Sequence, residues 1–142
     1  MTFLLDTCVV SELVSTHPNQ AVVDWIDGVD PATAYLSVIT IGEIRRGIES
    51  TSNSKRQAIL TNWLEKDLLL RFRDQILPLD VAVLLTWGEL TGNLDKLGKP
   101  LPAMDSLLAA TARHYKLTLV TRNLQDFTRA KIDLFCPWSS SL

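Results

Sequence analysis

The sequence predicts an α/β protein built as three layers, α/β/α, around a central, mainly parallel sheet. Two observations carry this. Short β-favouring or apolar runs at 3–5, 33–38 and 76–79 are each followed by a stretch with helical character, and a further strand runs at 117–121; strands alternating with helices favour a parallel sheet covered on both faces. The chain also lacks an internal repeat, a linker or a low-complexity stretch, so residues 1–142 read as one domain.

The elements follow in order. Phe3-Leu4-Leu5 is a strand ending at Asp6-Thr7, and Val9, Val10, Leu13 and Val14 then recur at helical spacing. Ala21, Val22, Trp25 and Ile26 mark one side of a helix from Asn19 to Asp27, stopped by Gly28 and Asp30-Pro31. Thr33 to Val38 is β-favouring and runs into a helix start at Thr40. From Ser54 to Leu70, Ile59, Leu60, Trp63, Leu64 and Leu68 predict a long amphipathic helix covering one face.

Ile76 to Leu79 is a short strand and Val81 to Leu94 a helix. The breakers in Gly98-Lys99-Pro100-Leu101-Pro102 precede a helix from Ala103 to Ala112, which places Asp105 in its first turn, where the helix dipole favours a carboxylate. Leu117 to Thr121 is the clearest strand; polar residues 122–126 and Phe127 follow, and 139–142 read as a frayed tail.

Composition excludes several classes. With 46% hydrophobic and 21% charged residues the chain is that of a folding globular protein. No apolar run approaches the roughly 20 residues that span a bilayer, and the amino terminus lacks a signal-peptide pattern, so a cytoplasmic protein is expected. Cys8 and Cys136 are too few for a disulfide framework and are expected as buried thiols. A net charge of −2 argues against a general basic surface for nucleic acid. Any such contact is local, through groups such as Arg45 and Arg46, Lys55 and Arg56, or a metal ion.

Ligands of open parallel sheets gather at the carboxyl ends of the strands. Asp6, Glu43 and Asp126 lie at or just beyond such ends, and Asp105 joins them if its helix starts at the same edge. Two carboxylates 4 Å apart repel by about 4 kcal/mol at the effective dielectric of a protein surface, so protons or cations must offset them. Oxygen ligands with no His or Cys set suit Mg²⁺ or Mn²⁺ rather than zinc. Such an ion activates water and stabilises charge on a scissile phosphate.

Four segments together resemble the PIN domains, in particular the VapC and FitB-like toxins: residues 4–13, residues 36–43 with Gly47, residues 105–112, and Thr121-Arg122-Asn123-Leu124-Gln125-Asp126-Phe127, with Cys136-Pro137-Trp138 similar to the FitB-like ending. The resemblance implies a magnesium-dependent endoribonuclease toxin that cuts transfer or ribosomal RNA. Its acidic site, catalytic and metal-binding, is Asp6, Glu43, Asp105 and Asp126. Thr7, Thr121 and Asn123 support the carboxylates by hydrogen bonds. It also implies a cognate antitoxin that carries the toxin to operator DNA, and a homodimer. Cys8 departs from the Asn common in the family at that position.

Other readings compete. A PIN-like module with little catalysis that acts with an antitoxin on operator DNA is the chief alternative, opposed by the complete acidic set. Haloacid dehalogenase-like phosphatases need a second Asp where this chain has Cys8, and a receiver domain wants a Lys where it has Arg122-Asn123. His17 and His114 have no arranged partners, Glu12 reads as a surface helical residue, and Trp25, Trp63 and Trp87 read as core or interface.

Overall fold

In the computed structural model, which describes residues 1–138, five short strands form one parallel sheet: β1 (Phe3–Leu5), β2 (Ala34–Ser37), β3 (Ile76–Leu77), β4 (Thr118–Val120) and β5 (Leu134–Phe135), in the order β3-β2-β1-β4-β5. The helices are α1 (Thr7–Glu12), α2 (Gln20–Gly28), α3 (Val38–Glu49), α4 (Ser54–Asn62), α5 (Leu69–Arg71), α6 (Val81–Lys96), α7 (Ala103–Tyr115) and α8 (Leu124–Phe127). Residues 139–142, expected as a frayed tail, lie outside the described residues.

Alternation along the strands builds the layers, because successive side chains point to opposite faces of a sheet. Leu5, Leu36 and Val120 enter one core with Val9, Val22, Ile44, Leu64 and Leu68 from the earlier helices. Leu4 and Leu119 enter the other, with Leu90, Leu94, Leu108 and Ala109 from α6 and α7. Most of these side chains are wholly buried, and each large aliphatic among them contributes roughly 1.5–3 kcal/mol of transfer free energy.

The sheet has its topological switch at β1. The chain winds outward through β2 and β3, then returns to pair β4 on the other side of β1, with Leu5 beside Val120. In open parallel sheets the carboxyl ends of the strands beside such a switch, here β1 and β4, are where ligands gather.

Three expectations change. The helix expected from Ser54 to Leu70 is interrupted: α4 buries none of its residues, and Trp63–Leu68 form a wider π-helical turn before α5. Leu64, Leu68 and Phe72, each four apart, are all buried; steps of four drift around a regular 3.6-residue helix, and the wider turn keeps them facing the core. The polar run after β4 contains α8, anchored by the buried Phe127, and β5 adds a fifth strand. Both cysteines are half-buried rather than buried. Among the described residues no helix is long and apolar enough to cross a membrane.

Candidate active site

Asp6 ends β1 and caps α1, an arrangement set by its extended backbone (φ −69°, ψ 156°). Its Oδ1 accepts the Thr7 backbone N–H at 2.7 Å, and its Oδ2 accepts the Thr121 hydroxyl at 2.8 Å and the Cys8 thiol at 3.6 Å. At 8% exposure it is nearly buried, so each donor replaces water that a carboxylate otherwise requires.

Thr121 follows β4 directly and is fully buried. Its register beside β1 comes from the Leu5–Val120 pairing and from the Asp6 N–H bond to the Val120 carbonyl at 2.9 Å. Strand pairing therefore brings a hydroxyl 115 residues away in sequence onto Asp6.

Glu43 lies on α3, whose start is fixed by the Ser37 side chain accepting the Ile39 N–H at 3.0 Å. One turn and a half later, Glu43 Oε1 accepts the Thr7 hydroxyl at 2.6 Å, and Thr40 Oγ1 stands 3.1 Å from that hydroxyl. Thr40 is a site residue that sequence reasoning missed; its signal is its place three residues before Glu43, on the same helix face.

Asp105 sits in the first turn of α7, which has no side-chain cap, and Asp126 on the exposed side of α8. Burial, and then the charges of Asp6, Asp126 and Glu43 in that order, push the Asp105 carboxyl above the ordinary aspartate value. Asp6, Asp126 and Glu43 thus each lie within electrostatic reach of Asp105.

Asn123 takes a different part from the one expected. Its backbone N–H, not its side chain, donates to Thr121 Oγ1 at 3.1 Å, and its side chain makes no cap bond on α8. Cys8 donates its S–H to Asp6. Burial first, and then the Asp6 charge, push its thiol up to about 11, so it persists as a donor and is a poor soft-metal ligand.

The donors at this edge are oxygens, which fits a hard divalent cation. Among the described residues, however, no three acidic, His or Cys side chains stand close enough together to form a ready-made ion site. Nearby Arg122 is exposed, its guanidinium 5.4 Å from the centre of the Trp138 ring.

Other singled-out residues have structural tasks. Glu12 accepts the Asn19 N–H at 2.8 Å, joining α1 to the cap of α2. Trp87 donates to Ser106 Oγ at 2.8 Å, and Trp25 packs edge-on against Phe3 at 5.1 Å. His17 and His114 are exposed. A cavity of about 590 Å³ lined by Phe3, Trp25, Thr118 and Leu134 opens at the amino ends of the strands, away from the acids.

This fold, with its acidic edge at the switch point, defines a PIN domain: residues 3–132 match the family model of that description, and the chain belongs to the family. Toxin FitB of Neisseria gonorrhoeae is 37% identical over 135 residues, covering 95% of this chain and 97% of its own length. VapC ribonuclease Y4jK of Sinorhizobium fredii is 35% identical, with 95% and 96% covered. Among solved structures, FitAcB from N. gonorrhoeae superposes with a TM-score of 0.92 at 36% identity, covering 96% of this chain and 99% of that one. FitAB bound to the IR36 DNA fragment gives 0.91 at 34%, with 99% of each covered.

Proposed function

We propose that this PIN domain is the toxin of a type II toxin–antitoxin pair, a metal-dependent endoribonuclease that arrests growth by cutting transfer or ribosomal RNA. The observation that supports the reading most directly is that the charges of Asp6, Asp126 and Glu43, together with burial, all act on Asp105 to raise its carboxyl. The similarity over nearly the full length to a toxin and to a VapC ribonuclease supports it.

In this reading Asp6 and Asp105 are the principal ligands of Mg²⁺, or of Mn²⁺, while Glu43 and Asp126 complete the shell or orient water. When bound, the cation supplies an activated water and offsets negative charge at the scissile phosphate. Thr121 and Cys8 fix the direction of the Asp6 carboxylate, and Thr7 fixes Glu43. Asn123 acts at one remove, by orienting Thr121. Residues 1–142 act as one cytoplasmic unit that pairs with itself and with a cognate antitoxin, and operator DNA is reached only through the antitoxin.

The test is growth after induced expression of the intact protein and of Asp6→Asn, with total RNA from both cultures examined for new ends. Arrest and discrete cuts with the intact protein alone are expected; equal behaviour of the two sinks the reading. A second reading is favoured by the solved FitAB–DNA assembly: a binding module that acts with an antitoxin on operator DNA. It is distinguished by an Asp6→Asn protein that changes neither RNA nor growth relative to the parent while complex binding to DNA is intact.

A further inference from the structure

We propose that the basic groove between the end of α6 and the turn after α8 is a track for RNA phosphates leading to the acidic edge. The inference rests on the ribonuclease reading for its substrate and on the groove itself for its place.

The groove, about 340 Å³, is rimmed by Lys96, Arg113, Arg129 and Lys131 and lined by no Asp or Glu. That is four of the chain's 14 Lys and Arg, in a molecule of net charge −2. Among the described residues the ion pairs are Arg45–Glu49 and Arg71–Asp27, so none of the four rim cations is in a close ion pair. Like charges gathered this way repel unless an anion offsets them.

The rim is built, not scattered. Arg113 Nη2 donates to the Ala130 carbonyl at 2.6 Å and Arg129 Nη1 to the Pro100 carbonyl at 2.9 Å. Each guanidinium keeps further N–H groups for a phosphate. Lys131 holds a left-handed backbone (φ 53°) at the end of the turn. The floor includes Leu97, which is 65% exposed.

Continuity with the acidic edge selects RNA over an acidic peptide. Arg129 follows Asp126 by three residues, and its partner Pro100 lies on the loop that leads into the α7 turn bearing Asp105. The groove and the acids thus share two segments. Four carboxylates repel a polyanion, so a strand that reaches them must be gripped by cations beside them, whereas nothing draws an acidic peptide towards that edge.

The experiment measures binding of a mixed-sequence single-stranded RNA oligonucleotide by the full chain carrying Asp6→Asn, as a function of salt. Lys96→Ala with Lys131→Gly removes two rim charges, and glycine accepts the left-handed backbone at 131. Loss of one phosphate-binding cation makes the slope of log K against log salt shallower by about 0.7, so the pair changes it by roughly 1.4. Lys66→Ala with Arg73→Ala removes the same charge from exposed positions outside the groove and leaves the slope in place. An unchanged slope for the groove pair overturns the proposal, as does an equal change for the control pair, which marks bulk charge alone. The slope is read on protein with the acidic site disabled, so it stands or falls apart from whether the chain with all four acids cuts RNA.

Discussion

Asp6 and Glu43 are wired into the fold, whereas Asp105 and Asp126 stand beside them with no side-chain hydrogen bond among the described residues. Asp6 accepts from a backbone N–H, a hydroxyl and a thiol, and Glu43 from a hydroxyl. Asp105 is held only by its place in the first turn of α7, against the charge of its neighbours. One half of the edge is therefore pre-set by strand pairing and capping. The other half is free to adjust to whatever offsets its charge.

The largest effect expected from this contrast is on cleavage. Asp6→Asn is expected to lower it by on the order of a thousandfold or more, the several kcal/mol that metal-assisted catalysis supplies. Asp126→Asn, on the adjustable half, should cost less, and single-turnover cleavage of the RNA found in the growth experiment ranks them. Equal losses would break the division into two halves.

The wired half also predicts an inert thiol. With its thiol at about 11, against an ordinary value of about 8.5, Cys8 holds at least about a hundredfold less thiolate at neutral pH. Its alkylation by iodoacetamide in folded Cys136→Ser protein should be slower by that factor than in the same protein unfolded. Comparable rates would show that Asp6 and burial do not hold the proton.

Thr121→Val keeps the shape of the side chain and removes its donor. Loss of a group that orients a metal ligand typically costs about 10–100-fold in activity or metal affinity. The deprived Asp6 oxygen should also cost roughly 1–3 kcal/mol of stability, read by denaturant unfolding. The same measurement on Asn123→Ala should show little change, since only the backbone N–H of Asn123 is used.

The smallest effect is thermal. Folding raises the affinity of Asp105 for its proton, so this group favours the folded state at low pH and that contribution is lost as pH rises through its raised value. Asn carries no such charge. Without divalent cations, Asp105→Asn should melt slightly higher than the parent at pH 7. The advantage should vanish below the ordinary aspartate value of 3.8. A lower melting temperature at pH 7 would mean that Asp105 is held by attraction rather than opposed by repulsion.

Much of the fold is legible in the chain because the signals are local. The apolar run of Phe3-Leu4-Leu5, the breakers before Ala103 and the β-rich Leu117 to Thr121 each reflect forces acting over a few residues. β5 is not legible: two residues, Leu134 and Phe135, carry no period of their own and become a strand only because β4 offers an open edge. The π-helical turn is hidden for a related reason. Apolar spacing of three and four fits one long helix equally well, and the demand that Leu64, Leu68 and Phe72 face a single core comes from the sheet they cover.

The candidate acids can be named from strand ends and motif segments, yet their meeting cannot. The order of strands and helices and the chemical character of the site are already written in the residues, because periodicity and carboxylate identity are properties of the chain. That Thr121 lies on Asp6, that Thr7 reaches Glu43, and that Lys96, Arg113, Arg129 and Lys131 collect around one groove are outcomes of folding. Those arrangements join residues far apart in sequence, and their distances depend on parallel pairing and helix packing, which no local spacing encodes.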